Sequence, residues 1–82
     1  MNYTIEFKRT AIKDLDKIDL RDARRILEKI KLLENGLTGD TKKLTNYSPE
    51  YRLRVGIYRV LFEIEENKVI IYRIRHRKES YK

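Results

Sequence analysis

Five arginines lie in the second half of this 82-residue chain at spacings that can bring them together: Arg52, Arg54, Arg59, Arg73 and Arg75. A guanidinium is planar and always charged, and its N–H groups donate in a fork that matches two phosphate oxygens at once. Several on one surface make an anion site. His76 and Arg77 follow immediately, then Lys78, Tyr81 and Lys82. His76 is the sole histidine and the only side chain with an ordinary pKa near neutrality, about 6.5, so it is a candidate acid or base. Tyr81 carries an aromatic face and a phenolic proton. Lys42, Lys43, Arg73, Arg75, Lys78 and Lys82 are candidate contacts to a polyanion backbone.

The charge is concentrated where these residues lie. Residues 1–40 hold nine basic and eight acidic side chains, and residues 41–82 hold eleven and five, out of a formal net charge of +7. The first half has the mixed surface of an ordinary solvated domain. The second has the bias expected for a polyanionic partner. There is no cysteine and one histidine, so neither a disulfide nor a thiolate or histidine metal site is expected, and no cofactor is implied. Asp14, Asp16, Asp19 and Asp22 read as a helix-surface and capping run rather than a metal site. The longest apolar run is the four residues 69–72, far short of a membrane span. The first residues read as a strand, not a signal peptide. The expectation is a single cytoplasmic domain over 1–82.

The arginines need a scaffold. Tyr3, Ile5 and Phe7 alternate with polar residues and predict a strand. Thr10 reads as an N-cap, with Ala11, Leu15 and Ile18 as the apolar stripe of a short helix. Asp19 caps a second helix, striped by Ala23, Ile26, Leu27, Ile30 and Leu33 and stopped by Gly36. Residues 36–50 form a connection with room for one short strand around Leu44. Strands are predicted over 51–55, 58–64 and 68–75. The fold class is α+β: an N-terminal strand, a helical hairpin, then a three- to four-stranded antiparallel sheet covered on one face by the hairpin.

Register follows from the turns. Gly56-Ile57 suits a two-residue type II′ turn. It pairs Val55 with Tyr58, Arg54 with Arg59, Leu53 with Val60 and Tyr51 with Phe62, and directly paired residues share a face. All the apolar members fall on one side and Arg52, Arg54 and Arg59 on the other. For the next turn, a three-residue loop Glu65-Glu66-Asn67 with Asn67 left-handed keeps Arg73 and Arg75 out of the core. It pairs Val60 with Tyr72 and sends Ile70, Tyr72 and Ile74 to the core. Leu61, Val69 and Ile71 are then left exposed beside the arginines, as a surface for a protein partner.

The block Tyr-Arg-Leu-Arg-Val-Gly-Ile-Tyr-Arg-Val-Leu-Phe-Glu-Ile (51–64), with His-Arg-Lys-Glu-Ser-Tyr (76–81) and Lys-Arg-Thr-Ala-Ile-Lys-Asp-Leu (8–15), resembles the RelE/ParE toxin superfamily of toxin–antitoxin systems, and more closely its RelE-like branch. The resemblance spans essentially the whole chain. It implies a RelE-like fold and a metal-independent, ribosome-dependent endoribonuclease (an mRNA interferase) cutting mRNA by 2′-OH attack. It also implies a cognate antitoxin that holds the toxin inactive as a hetero-oligomer, for which the register offers Leu61, Val69 and Ile71. Carried over residue by residue, Arg52 and Arg54 take two basic positions on the sheet, Arg59 the arginine of the next strand, Arg77 the arginine near the C-terminus, and Tyr81 the tyrosine that stacks on a base.

The better-known pattern has lysine at the first two of these positions. Arginine, with a pKa above about 12, does not accept a proton at neutral pH. Arg54 is therefore expected to orient the 2′-OH, with His76 the candidate base or acid. The ParE branch, which inhibits DNA gyrase without cutting RNA, is the alternative; a basic RNA-binding module without chemistry is a third.

Overall fold

Tyr3, Ile5 and Phe7 all pack against the core, alternating with exposed Thr4 and Glu6, and Thr4–Phe7 forms strand β1 in this computed structural model, which describes residues 2–37 and 39–78. Helices α1 (Arg9–Asp16) and α2 (Leu20–Leu32) follow, and a 3-10 turn, Leu33–Asn35, ends the hairpin at Gly36. Asp19 caps α2, its carboxylate accepting from the Asp22 N–H at 2.9 Å. Thr10 does not cap α1. It lies inside the first turn, Lys8 occupies the cap position without a side-chain bond, and the Thr10 hydroxyl donates to the Tyr72 carbonyl at 2.7 Å.

Strands β2 (Thr41–Lys43), β3 (Tyr51–Val55), β4 (Tyr58–Glu65) and β5 (Lys68–His76) complete the molecule. The fold is α+β as expected, but the sheet has five strands, ordered β1-β5-β4-β3-β2. β2 to β5 are antiparallel; β1 joins parallel to β5, Thr4 opposite Lys68. Ile26, Ile30 and Leu33 from the helices bury against Val60, Phe62, Val69 and Ile71. Phe62 stacks on Tyr51 directly across the ladder, ring centroids 5.4 Å apart. Truncating such a fully buried ring costs about 3–5 kcal/mol.

The β3–β4 register is the one the Gly56-Ile57 turn predicts: Arg54 opposite Arg59, Leu53 opposite Val60, with Gly56 the residue of that turn at positive φ. The β4–β5 register is not. The turn has two residues, Glu66 and Asn67, with Glu66 rather than Asn67 left-handed at φ 56°. Taken alone, that turn would drive Arg73 into the core. A β-bulge prevents it: Phe62 faces Ile71 and Leu61 faces Arg73, so Tyr72 is the extra residue and the alternation resets. Val60 therefore pairs with Ile74, not Tyr72. Val69 and Ile71 are correspondingly 0% exposed, in the core beneath the helices, not on the arginine face.

β1 covers only the first half of the outer edge of β5. Beyond Ile71 that edge is met by α1: Thr10 takes the Tyr72 carbonyl, and the Asp14 carboxylate accepts from the Ile74 N–H at 2.9 Å. Backbone groups that would stand unpaired are thus satisfied by helix side chains.

Candidate functional site

On the face turned away from the helices, the register sets the basic residues in two cross-strand rows. One row is Arg54, Arg59 and Arg75, on three adjacent strands. The other is Lys42, Arg52, Leu61 and Arg73. Directly opposed like charges destabilise a sheet, and two carboxylates from outside it offset this. Asp40, just before β2, accepts from Arg54 Nε and, at 3.3 Å, from Arg52 Nη1, while its backbone carbonyl takes the Arg54 N–H at 2.9 Å. Asp14, on α1, accepts from Arg73 Nε at 2.8 Å and Nη2 at 3.1 Å.

Both carboxyls sit below their ordinary pKa. Burial alone would raise Asp14, but the Arg73 hydrogen bond, the Ile74 N–H and the charges of Arg73 and Arg75 outweigh it. For Asp40, the bond and charge of Arg54 and the charge of Arg52 likewise overcome desolvation. Both are therefore ionised at neutral pH. Neither aspartate stands out in the sequence as a partner of the arginines. Only the register of β2, which sets Lys42 beside Arg52, brings Asp40 to Arg54.

The arginines are not equally accessible. The Arg54 side chain is 54% exposed and that of Arg52 only 11%, with the Arg52 Nε buried and lacking a hydrogen-bond partner among the described residues. The 44–50 connection closes with the Leu44 N–H on the Glu50 carbonyl and folds over this face, where the Ser48 hydroxyl donates to Glu63 at 3.2 Å. Leu61 is 3% exposed, so it offers no open apolar surface. Arg59 is held over the first turn, its Nη1 donating to the Gly56 and Tyr58 carbonyls at 3.0 Å each.

The two loop lysines separate. Lys42 pairs with Arg52 on the arginine face, whereas Lys43 pairs with Tyr51 on the other and lies 3.9 Å from Glu50. His76 is also on the helix side. It pairs with Tyr58, the rings edge-to-face with centroids 6.0 Å apart, and its Nδ1 accepts from the Lys78 N–H. The pair lines a cleft of about 210 Å³ with Asp14, Lys17, Ile18 and Ile74. Burial, then the charges of Asp22 and Asp19, raise the Tyr58 phenol. His76 is thus separated by the sheet from Arg52, Arg54 and Arg59. Arg77 is exposed at the end of β5, its N–H on the Ile57 carbonyl at 2.7 Å, with Lys78 exposed beside it. Tyr81 and Lys82 lie outside the described residues. Among the described residues no three His, Cys, Asp or Glu side chains are grouped to hold a metal, and no helix is long and apolar enough to cross a membrane.

Residues 5–81 match a family described as the ParE toxin of type II toxin–antitoxin systems. The chain is 35% identical over 80 residues to Toxin RelE3 of Methanocaldococcus jannaschii, covering 92% of this chain and 91% of that one. In structure it is similar to a chain of the RelB–RelE antitoxin–toxin complex from Methanococcus jannaschii, with a TM-score of 0.78, 34% identity and coverage of 93% and 94%. It is similar also to one of the archaeal RelE–RelB complex from Pyrococcus horikoshii, with a TM-score of 0.79, 25% identity and coverage of 98% and 100%.

Proposed function

The chain belongs to the ParE toxin family, within the RelE/ParE superfamily of type II toxin–antitoxin toxins, and on that premise we propose that it is a metal-independent endoribonuclease that cuts mRNA on the ribosome, in the cytoplasm, as a single domain over 1–82. The observation that carries this is the row Arg54, Arg59 and Arg75 on three neighbouring strands. Like charges so arrayed are relieved by a bound phosphodiester, and the row spans about 10 Å at the usual strand spacing.

In the reaction the 2′-oxygen attacks the adjacent phosphorus and the bond to the 5′-oxygen breaks. The products are a 2′,3′-cyclic phosphate and a 5′-hydroxyl. Arg54 and Arg59 hold the non-bridging oxygens and stabilise the charge that develops on them. Arg52, mostly covered, adds positive potential from below. Arg77, exposed beside the row, donates to the departing 5′-oxygen. His76 faces the helix side, so the 2′-OH proton needs another acceptor. Asp40 is ionised and in contact with Arg52 and Arg54, and it takes that proton once phosphate displaces it from Arg54. Tyr81 stacks on a base, and Lys42, Arg73, Arg75, Lys78 and Lys82 steer the backbone; Lys43, on the opposite face, contributes charge only.

The cognate partner is an acidic antitoxin, forming a hetero-oligomer with this basic chain. Its apolar purchase is not Leu61, Val69 and Ile71, which are buried. A groove of about 180 Å³ between β1 and α2, lined by Ile5, Phe7, Leu27 and Ile30, is the open apolar alternative. A gyrase-inhibiting activity is the second reading, favoured by the match to the ParE family. Induction in cells with mapping of mRNA 5′ ends on ribosomes separates the two. Cuts within codons support the nuclease; intact mRNA with DNA damage overturns it in favour of gyrase.

A further inference from the structure

We propose that Arg25 and Lys29 of α2, beside Arg54, form a second phosphate site that carries the RNA strand around the sheet edge, away from the bond being cut. This rests on the nuclease reading and names where the strand runs. Arg25 and Lys29 are one helical turn apart, on a face of α2 that looks onto the first β-turn. With Leu32, Asp40, Arg54 and Gly56 they bound a cavity of about 230 Å³. Gly56, at φ +59°, has no side chain to fill it; a Cβ there would stand 3.9 Å from Arg25 Nη1.

Arg25 and Lys29 make no side-chain ion pair or hydrogen bond among the described residues, although Asp22 and Glu28 lie on the same helix. Like charges at this spacing repel. The one carboxylate lining the cavity, Asp40, is already shared between Arg52 and Arg54. Three cations against one occupied anion leave a net positive cavity, open to solvent and continuous through Arg54 with the Arg59–Arg75 row. Arg25 supplies a forked donor and Lys29 a point charge, a pairing suited to one phosphodiester group. With no base-reading group in the cavity, the contact favours longer strands over shorter ones without regard to sequence.

The test uses the full chain with single-stranded oligoribonucleotides made uncleavable by 2′-O-methylation: a trinucleotide and a nonanucleotide, titrated across a range of NaCl. Arg25→Gln/Lys29→Gln should weaken the nonanucleotide and lower its salt slope by about 0.7, the loss of one single-strand phosphate contact. Trinucleotide binding should not change. Arg25→Glu/Lys29→Glu, also on an exposed helix face, should weaken the nonanucleotide further at unchanged helical circular dichroism. An unchanged nonanucleotide slope, or equal loss on both lengths, overturns the second site. Loss of antitoxin affinity alone assigns the cavity to that partner and overturns it as well. Failure of the nuclease reading is distinct: the wild-type chain would then neither bind these strands nor cut message.

Discussion

Asp14 on the first helix binds Arg73 on the last strand through two hydrogen bonds, 2.8 and 3.1 Å, and takes the neighbouring Ile74 N–H as well. One carboxylate thus ties α1 to the edge of β5 and neutralises an arginine that faces the opposite side of the sheet. Asp14→Asn should cost about 1–3 kcal/mol in urea unfolding, because it weakens charge-assisted bonds at a mostly buried site. The carboxyl is held below its ordinary pKa, so its stabilisation is complete above about pH 4 and is lost as pH falls through the folded-state value. The variant should therefore lose less stability than the wild type on acidification through that window. Parallel stability–pH curves for the two proteins would refute this assignment.

Removing Arg59 should abolish most growth inhibition and lower the rate of message cleavage by about a hundredfold or more, the usual effect of deleting a donor that stabilises developing charge. Arg77→Ala should act in the same direction. His76→Ala should have a smaller effect, since the sheet separates it from the arginine row. Growth assays with quantified 5′ ends check all three, and full toxicity of Arg59→Ala would end the catalytic reading.

Asp40→Asn should divide binding from chemistry. Without its charge Arg54 is released toward solvent, so affinity for an uncleavable RNA strand should rise. Cleavage should fall by about a hundredfold if the carboxylate accepts the 2′-OH proton. Weaker RNA binding by this variant would instead mean that Asp40 serves only to hold the arginines in place.

Glu66 sits left-handed in the second β-turn, a conformation that costs an L-residue about 1–2 kcal/mol and that asparagine tolerates better. Glu66→Asn should raise the melting temperature without affecting cleavage. A lower melting temperature would show that the Glu66 side chain contributes something its backbone geometry does not reveal.

The Arg54–Arg59 pair was legible because one turn governs it. Gly56 is the only glycine between two alternating runs, and the register it sets brings Arg54 opposite Arg59. The β4–β5 pairing was less legible for a reason in the same physics. A one-residue change in loop length flips every side chain after it, and the bulge at Tyr72 flips the later ones back. Arg73 and Arg75 thus reach the expected face by a different route, while Val69 and Ile71, between turn and bulge, end on the other side. Asp14, which reads as a helix-surface residue, and Asp40 carry no local sign of their arginines, because those partners are 59 and 14 residues away in sequence. His76 shows a limit of composition: its titration range singles it out, but strand parity puts it beneath the helices.

The parallel seam between β1 and β5 also sets when the sheet can close. Thr4 finds its ladder partner only at Lys68, so the first strand to be synthesised waits for the last, and the sheet closes through its most distant contacts. Until β5 emerges, α1 lacks the strand edge that Thr10 and Asp14 bind. The arginine row is likewise unfinished until Arg75 has left the exit tunnel. On the nuclease activity proposed above, strand order keeps the arginine row unassembled while β5 is still being synthesised.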